Sequence, residues 1–169
     1  MPFVRFLAIA AACICLPLGA SATPEPVALP SINHANAQVV VVRPDGTEIA
    51  YSPADLEQLP TYRVRTTTPW RTEAAEFEGV LLSDVLAANG LAEADAIMVT
   101  AENDFTSTIE RTVWETVDVL IATRVDGRPH SRRARGPIQF VIDMDAYANS
   151  GVAREEHLVW MAARIEAAQ

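Results

Sequence analysis

Both cysteines of the chain, Cys13 and Cys15, fall within its first 22 residues. Whatever folds after that segment does so without a disulfide, a cysteine zinc site, a cysteine nucleophile or a thiolate metal ligand. The segment itself reads as a secretory leader, with Arg5 near the start, an apolar run over residues 6–18, and Ala20-Ser21-Ala22 as a small-residue cleavage site. The run is shorter than a bilayer span. Cleavage after about Ala22 is expected, with delivery to the periplasm or the exterior and no membrane insertion afterwards.

Residues 23–169 are enough for one domain that buries its own core. Arg5 is the one charge in the leader, which leaves 12 basic against 22 acidic residues and a net charge of about −10. Such a balance argues against nucleic acid and anionic membrane surfaces as partners. Every basic residue is arginine, so a Schiff-base or Walker lysine is excluded, while the guanidinium fork suits oxyanions. His34, His130 and His157 show no zinc spacing, and no serine stands in a Gly-x-Ser-x-Gly elbow. The acids Glu102, Asp104, Asp143 and Asp145 read as polar turns.

Three prolines in residues 23–35 predict an extended tether over 23–36, and the domain is expected over 37–169. Four valines in residues 39–42, then Pro44-Asp45-Gly46, predict a hairpin. Ser52-Pro53-Ala54-Asp55 predicts a capped helix start. Residues 62–68 alternate and are β-branched, which predicts a strand, and residues 77–82 read as a turn into a helix capped by Ser83 and stopped by Gly90. Two further strands are expected over 96–100 and 105–109, a helical turn capped by Thr112, and strands over 119–125 and 138–142. The interleaving of short helices and short strands indicates an α+β domain built on a mixed, barrel-like sheet.

Several ordered pieces resemble the oxidoreductase molybdopterin-binding domain, the sulfite-oxidase fold. They are residues 66–70, Phe77-Glu78-Gly79-Val80-Leu81-Leu82 with Asp84-Val85-Leu86, the acidic turn in 99–105, and Leu120-Ile121-Ala122 through Asp126-Gly127-Arg128-Pro129. Gly136-Pro137-Ile138 and Trp160 with Arg164-Ile165-Glu166 complete a set that spans residues 55–166. For the tail, apolar spacing at Leu158, Met161, Ala162 and Ile165 fits a helix, whereas the resemblance implies a helical turn and a final strand, which is the reading followed. It also implies molybdopterin as a cofactor. Thr66 stands four residues before Trp70, where members with Cys-x-x-x-Trp carry the cysteine that binds molybdenum. A threonine hydroxyl is a hard, poor substitute for that soft ligand.

The candidate cofactor-binding residues are Thr66, Trp70 and Arg71, together with Arg128, His130, Arg132, Arg133 and Arg135 from a charged loop. That loop, with Arg124 just before it, is the one local positive patch of an acidic chain. No catalytic residue and no metal ligand is assigned. The first reading is a periplasmic ligand-binding or sensory module for a small anionic ligand or cofactor, acting with a membrane signalling or redox partner. The second is a molybdopterin-dependent oxidoreductase that holds its cofactor without a thiolate.

Overall fold

The computed structural model describes residues 23–168; the expected leader lies outside them. Local signals act first. Pro44-Asp45-Gly46 joins β2 (Val39–Val42) to β3 (Glu48–Tyr51), and the Thr47 amide donates to the Asp45 carboxylate at 2.9 Å. Helix α1 (Pro53–Leu56) opens on a full capping box. The Asp55 amide donates to the Ser52 hydroxyl at 3.1 Å, and the Ser52 amide donates to the Asp55 carboxylate at 2.9 Å.

Strand β4 (Thr61–Thr68) turns at Pro69-Trp70 into β5 (Arg71–Leu81). The turn expected over residues 77–82 is therefore strand. Phe77, Gly79, Val80 and Leu81 bond β4 on one side and β8 (Val119–Val125) on the other, and this two-sided pairing overrides the local turn signal. Helix α2 (Leu82–Ala88) begins on Leu81 with no side-chain cap, so Ser83 does not cap it. Its end follows expectation: Gly90 has φ +73°, and the Leu91 amide reaches back to the Leu86 carbonyl at 2.8 Å.

Strands β6 (Ala96–Ala101) and β7 (Thr106–Glu110) pair antiparallel, and α3 (Arg111–Thr116) starts one residue before Thr112, which caps nothing. After β8 come the short β9 (Arg128–Pro129), a 3-10 turn at Arg132–Ala134, and β10 (Gln139–Ile142). Helix α4 (Met144–Ser150) was not expected. Asp143, read as a turn acid, is its N-cap and accepts from the Asp145 and Ala146 amides at 3.1 and 3.0 Å. A 3-10 turn at Glu155–His157 and the strand β11 (Ala162–Ala167) end the fold, as the resemblance implied.

With β1 (Glu25–Pro26), the strands make two sheets ordered β1-β4-β5-β8-β10, with β9 beside β8, and β3-β2-β11-β6-β7. This is an α+β fold, but the expected barrel does not close. The outer strands of each sheet remain edges, with no hydrogen-bonded ladder between the sheets among the described residues. Within the second sheet, β11 joins the β3-β2 pair to the β6-β7 pair by running parallel to β2 and antiparallel to β6. The main core takes Val39, Val41, Leu86, Ile97, Val99, Ile121 and Ile165, whereas Phe77, Leu120, Ala122 and Val141 form a smaller cluster. Successive residues of β8 thus serve opposite faces of their sheet, as pleat alternation requires.

Residues 23–36 are extended but lie against the domain. β1 pairs with β4, and the Val27 amide donates to the Thr61 carbonyl at 2.9 Å.

Candidate functional site

The β4–β5 turn and the loop after β8 meet around a cavity of about 280 Å³. The turn supplies Thr68, Trp70 and Arg71; Phe77 comes from β5, Gln139 from β10, and His130, Arg133 and Arg135 from the loop. Arg135 sits in the left-handed region at φ +75°, at the end of the 3-10 turn. Its guanidinium lies 4.6 Å from the Trp70 ring and 5.3 Å from the Trp160 ring. Indole faces hold a guanidinium in place without neutralising it. Neither Arg133 nor Arg135 has a carboxylate partner among the described residues. Arg71 is 3.3 Å from the exposed Asp126 carboxylate.

His130 is only 2% exposed and sits edge-on to Phe77 at 6.3 Å. Its Nε2 lies 2.7 Å from Gln139 Oε1, while Nδ1 has no partner. The amide oxygen as acceptor places the ring proton on Nε2 and leaves Nδ1 a bare acceptor. Burial lowers its pKa, with Gln139 opposing and the nearby Arg71 charge adding to the fall. The imidazole is therefore neutral at pH 7, a polar group among cations.

His157 is fully buried as well, and burial followed by the Arg154 charge lowers its pKa. Both histidines titrate near 6.5 in the unfolded chain and below that in the fold. Below pH 6.5 the unfolded state binds more protons, so their contribution to stability is complete above 6.5 and lost as pH falls. Urea unfolding at pH 7.5 and pH 5 is expected to give a lower midpoint at pH 5. An equal or higher midpoint there would contradict neutral burial.

The structure brings together Trp70, Arg71, His130, Arg133 and Arg135, and leaves three predicted residues outside the lining. Thr66 is 5% exposed, and its hydroxyl accepts from the Met144 amide at 3.0 Å, which ties β4 to the start of α4. Arg128 is exposed on β9. Arg132 chelates Glu102, with Nη2 to Oε1 at 2.9 Å. Arg124, counted with the loop by its position, is 1% exposed and paired with Glu57. The cavity also includes Thr68, Phe77 and Gln139, which sequence reasoning missed. Gln139 did carry a signal, as the one polar residue in an otherwise apolar strand.

A family model for the oxidoreductase molybdopterin-binding domain matches residues 27–150. The chain belongs to this family. No curated protein sequence matches it. The match begins at Val27, where the first segment docks on β4, and ends at the last residue of α4.

Molybdopterin-binding family membership makes a molybdopterin the implied cofactor, and the residues present fit one part of such a group. Three arginines and two indole or imidazole rings suit an anionic, aromatic ligand. They do not fit a thiolate-held metal. The described residues contain no cysteine, Thr66 is engaged outside the cavity, and no three His, Asp or Glu among them are grouped to hold a metal ion.

Proposed function

We propose that this exported member of the molybdopterin-binding family works as a ligand-binding module for a small oxyanion-bearing aromatic ligand, of which a pterin phosphate is one form. One observation carries the reading: Arg133 and Arg135, free of carboxylates, border the same cavity as Arg71 and a neutral, buried His130. A cation without a counter-ion, held rigid by two indoles, loses little entropy on meeting an anion. Thr66, on this reading the counterpart of the family's metal-binding cysteine, spends its hydroxyl on the Met144 amide at the start of α4. A sensory role with a membrane signalling or redox partner is consistent with an acidic, exported chain.

Family membership itself favours a second reading, a molybdopterin oxidoreductase without a thiolate. Metal analysis of protein exported by a host that makes the cofactor separates the two. Molybdenum near one equivalent per chain would sink the binding-module reading, and absence of both molybdenum and oxidised-pterin fluorescence would sink the enzyme.

The cavity can be tested on its own by calorimetric titration with pyrophosphate. Arg133→Ala should weaken binding by about 1–3 kcal/mol, the worth of a charge-assisted hydrogen bond. Arg132→Ala should leave it unchanged, because Arg132 is committed to Glu102. Equal effects from both variants would show that general surface charge, not the cavity, attracts the ligand.

A further inference from the structure

A second concavity, about 370 Å³, shares Trp70 with the arginine-lined cavity but has the opposite character. Trp70, Phe105 and Trp160 line it together with Leu158, Asn103, Glu155 and Glu156, and no basic side chain contributes to its lining. The three rings come from three separate parts of the chain. Trp70 lies on the β4–β5 turn, Phe105 on the β6–β7 turn, and Trp160 pairs with Gln139 of β10 through an isolated bridge. Phe105 is 45% exposed, the one large hydrophobic residue so exposed among those described. Its turn is fixed by the Phe105 amide donating to the Asn103 side chain at 3.3 Å.

We infer that this cleft binds an organic ammonium ion with an apolar body, of the quaternary ammonium class. Aromatic faces attract a cation whose charge is spread over methyl groups, because such an ion loses little hydration on entering. Arg135 already shows the two tryptophans acting on a cation, yet it lines the neighbouring cavity and not this cleft. Glu156 is paired with Arg154 at 2.8 Å, whereas Glu155 has no ion-pair partner. Glu155 is thus the carboxylate left to balance an incoming charge. A neutral apolar ligand would use the rings and gain nothing from Glu155; a metal ion would use the carboxylates and gain little from the rings. Only an organic cation uses both.

The test titrates the full exported chain with choline and follows tryptophan fluorescence, at constant ionic strength. The neutral isostere 3,3-dimethylbutan-1-ol and ammonium chloride serve as comparisons. Choline should saturate with a midpoint about tenfold below that of the alcohol, and ammonium should not saturate. Phe105→Ala and Glu155→Gln alter exposed side chains and should each raise the choline midpoint at least about threefold. Equal midpoints for choline and the alcohol, a matching response to ammonium, or variants that behave as the parent would each overturn the assignment. Pyrophosphate titration of the same variants should be unchanged, so failure here leaves the arginine cavity standing.

Discussion

Glu57→Ala is expected to lower folding stability by about 3–5 kcal/mol, the usual cost of stripping one partner from a buried ion pair. Glu57 lies at the end of α1, with its side chain 8% exposed, and receives three neighbours. Arg124 Nε donates to it at 2.9 Å, the Thr123 hydroxyl donates at 2.6 Å, and His34 Nε2 lies 3.1 Å away. Burial alone would raise the Glu57 pKa, but Arg124, Thr123 and His34 together outweigh it and hold the carboxylate below its usual value. Its contribution is therefore present above the unfolded value of 4.5 and lost as pH falls through the folded one.

Without Glu57, the guanidinium of Arg124 keeps a bond to the Pro30 carbonyl at 2.8 Å and faces Glu78 across the strand pair, with no carboxylate bonded to it. The urea midpoint of Glu57→Ala reads the global loss. Hydrogen exchange should also quicken over residues 27–36, since His34 and Pro30 dock on this cluster. A double change, Glu57→Leu with Arg124→Met, removes both charges and should recover part of the loss. A cost below about 1 kcal/mol for the single change would put the pair with exposed surface bridges and refute its buried role.

The same cluster shows where the sequence was legible and where it was not. Pro44-Asp45-Gly46, Ser52 to Asp55 and Gly90 act on neighbours within a few residues, and each formed the predicted turn or cap. Ser83 and Thr112 are equally good capping residues by type, but pairing of the preceding strand set the N-cap two residues earlier in both cases, at Leu81 and Glu110. Arg124 looked like part of a charged loop because its partner lies 67 positions upstream, and no local pattern marks such a pair. Of the candidate cavity residues, Trp70 and Arg135 stack across 65 positions, so type and resemblance pointed to them while their contact did not follow from spacing. Thr66 drew notice by its place four residues before Trp70, but its bond to Met144 depends on a helix whose N-cap, Asp143, reads locally as a turn acid.

Among the described glycines, Gly79 should suffer most from the addition of a single methyl group, as in Gly79→Ala. A Cβ built on Gly79 lies 2.0 Å from the Ile121 carbonyl oxygen and 2.9 Å from the Ala122 Cα, both backbone atoms of β8. A flexible side chain could swing away, but these atoms belong to an interior strand of the sheet, bonded to β5 on one side and β10 on the other. Relief requires moving one strand off the other at the register shift between Glu78 and Gly79. Overpacking of side chains costs about 1–3 kcal/mol, and a clash with unyielding backbone belongs at or beyond the top of that range. Because Phe77, two residues away, lines the arginine cavity and touches His130 edge-on, any strand shift that rescues folding should also weaken pyrophosphate binding. Arg133→Ala, by contrast, should weaken binding with the urea midpoint unchanged. A Gly79→Ala protein with the parent's midpoint and affinity would mean that β5 and β8 do not approach as closely as the 2.0 Å figure requires.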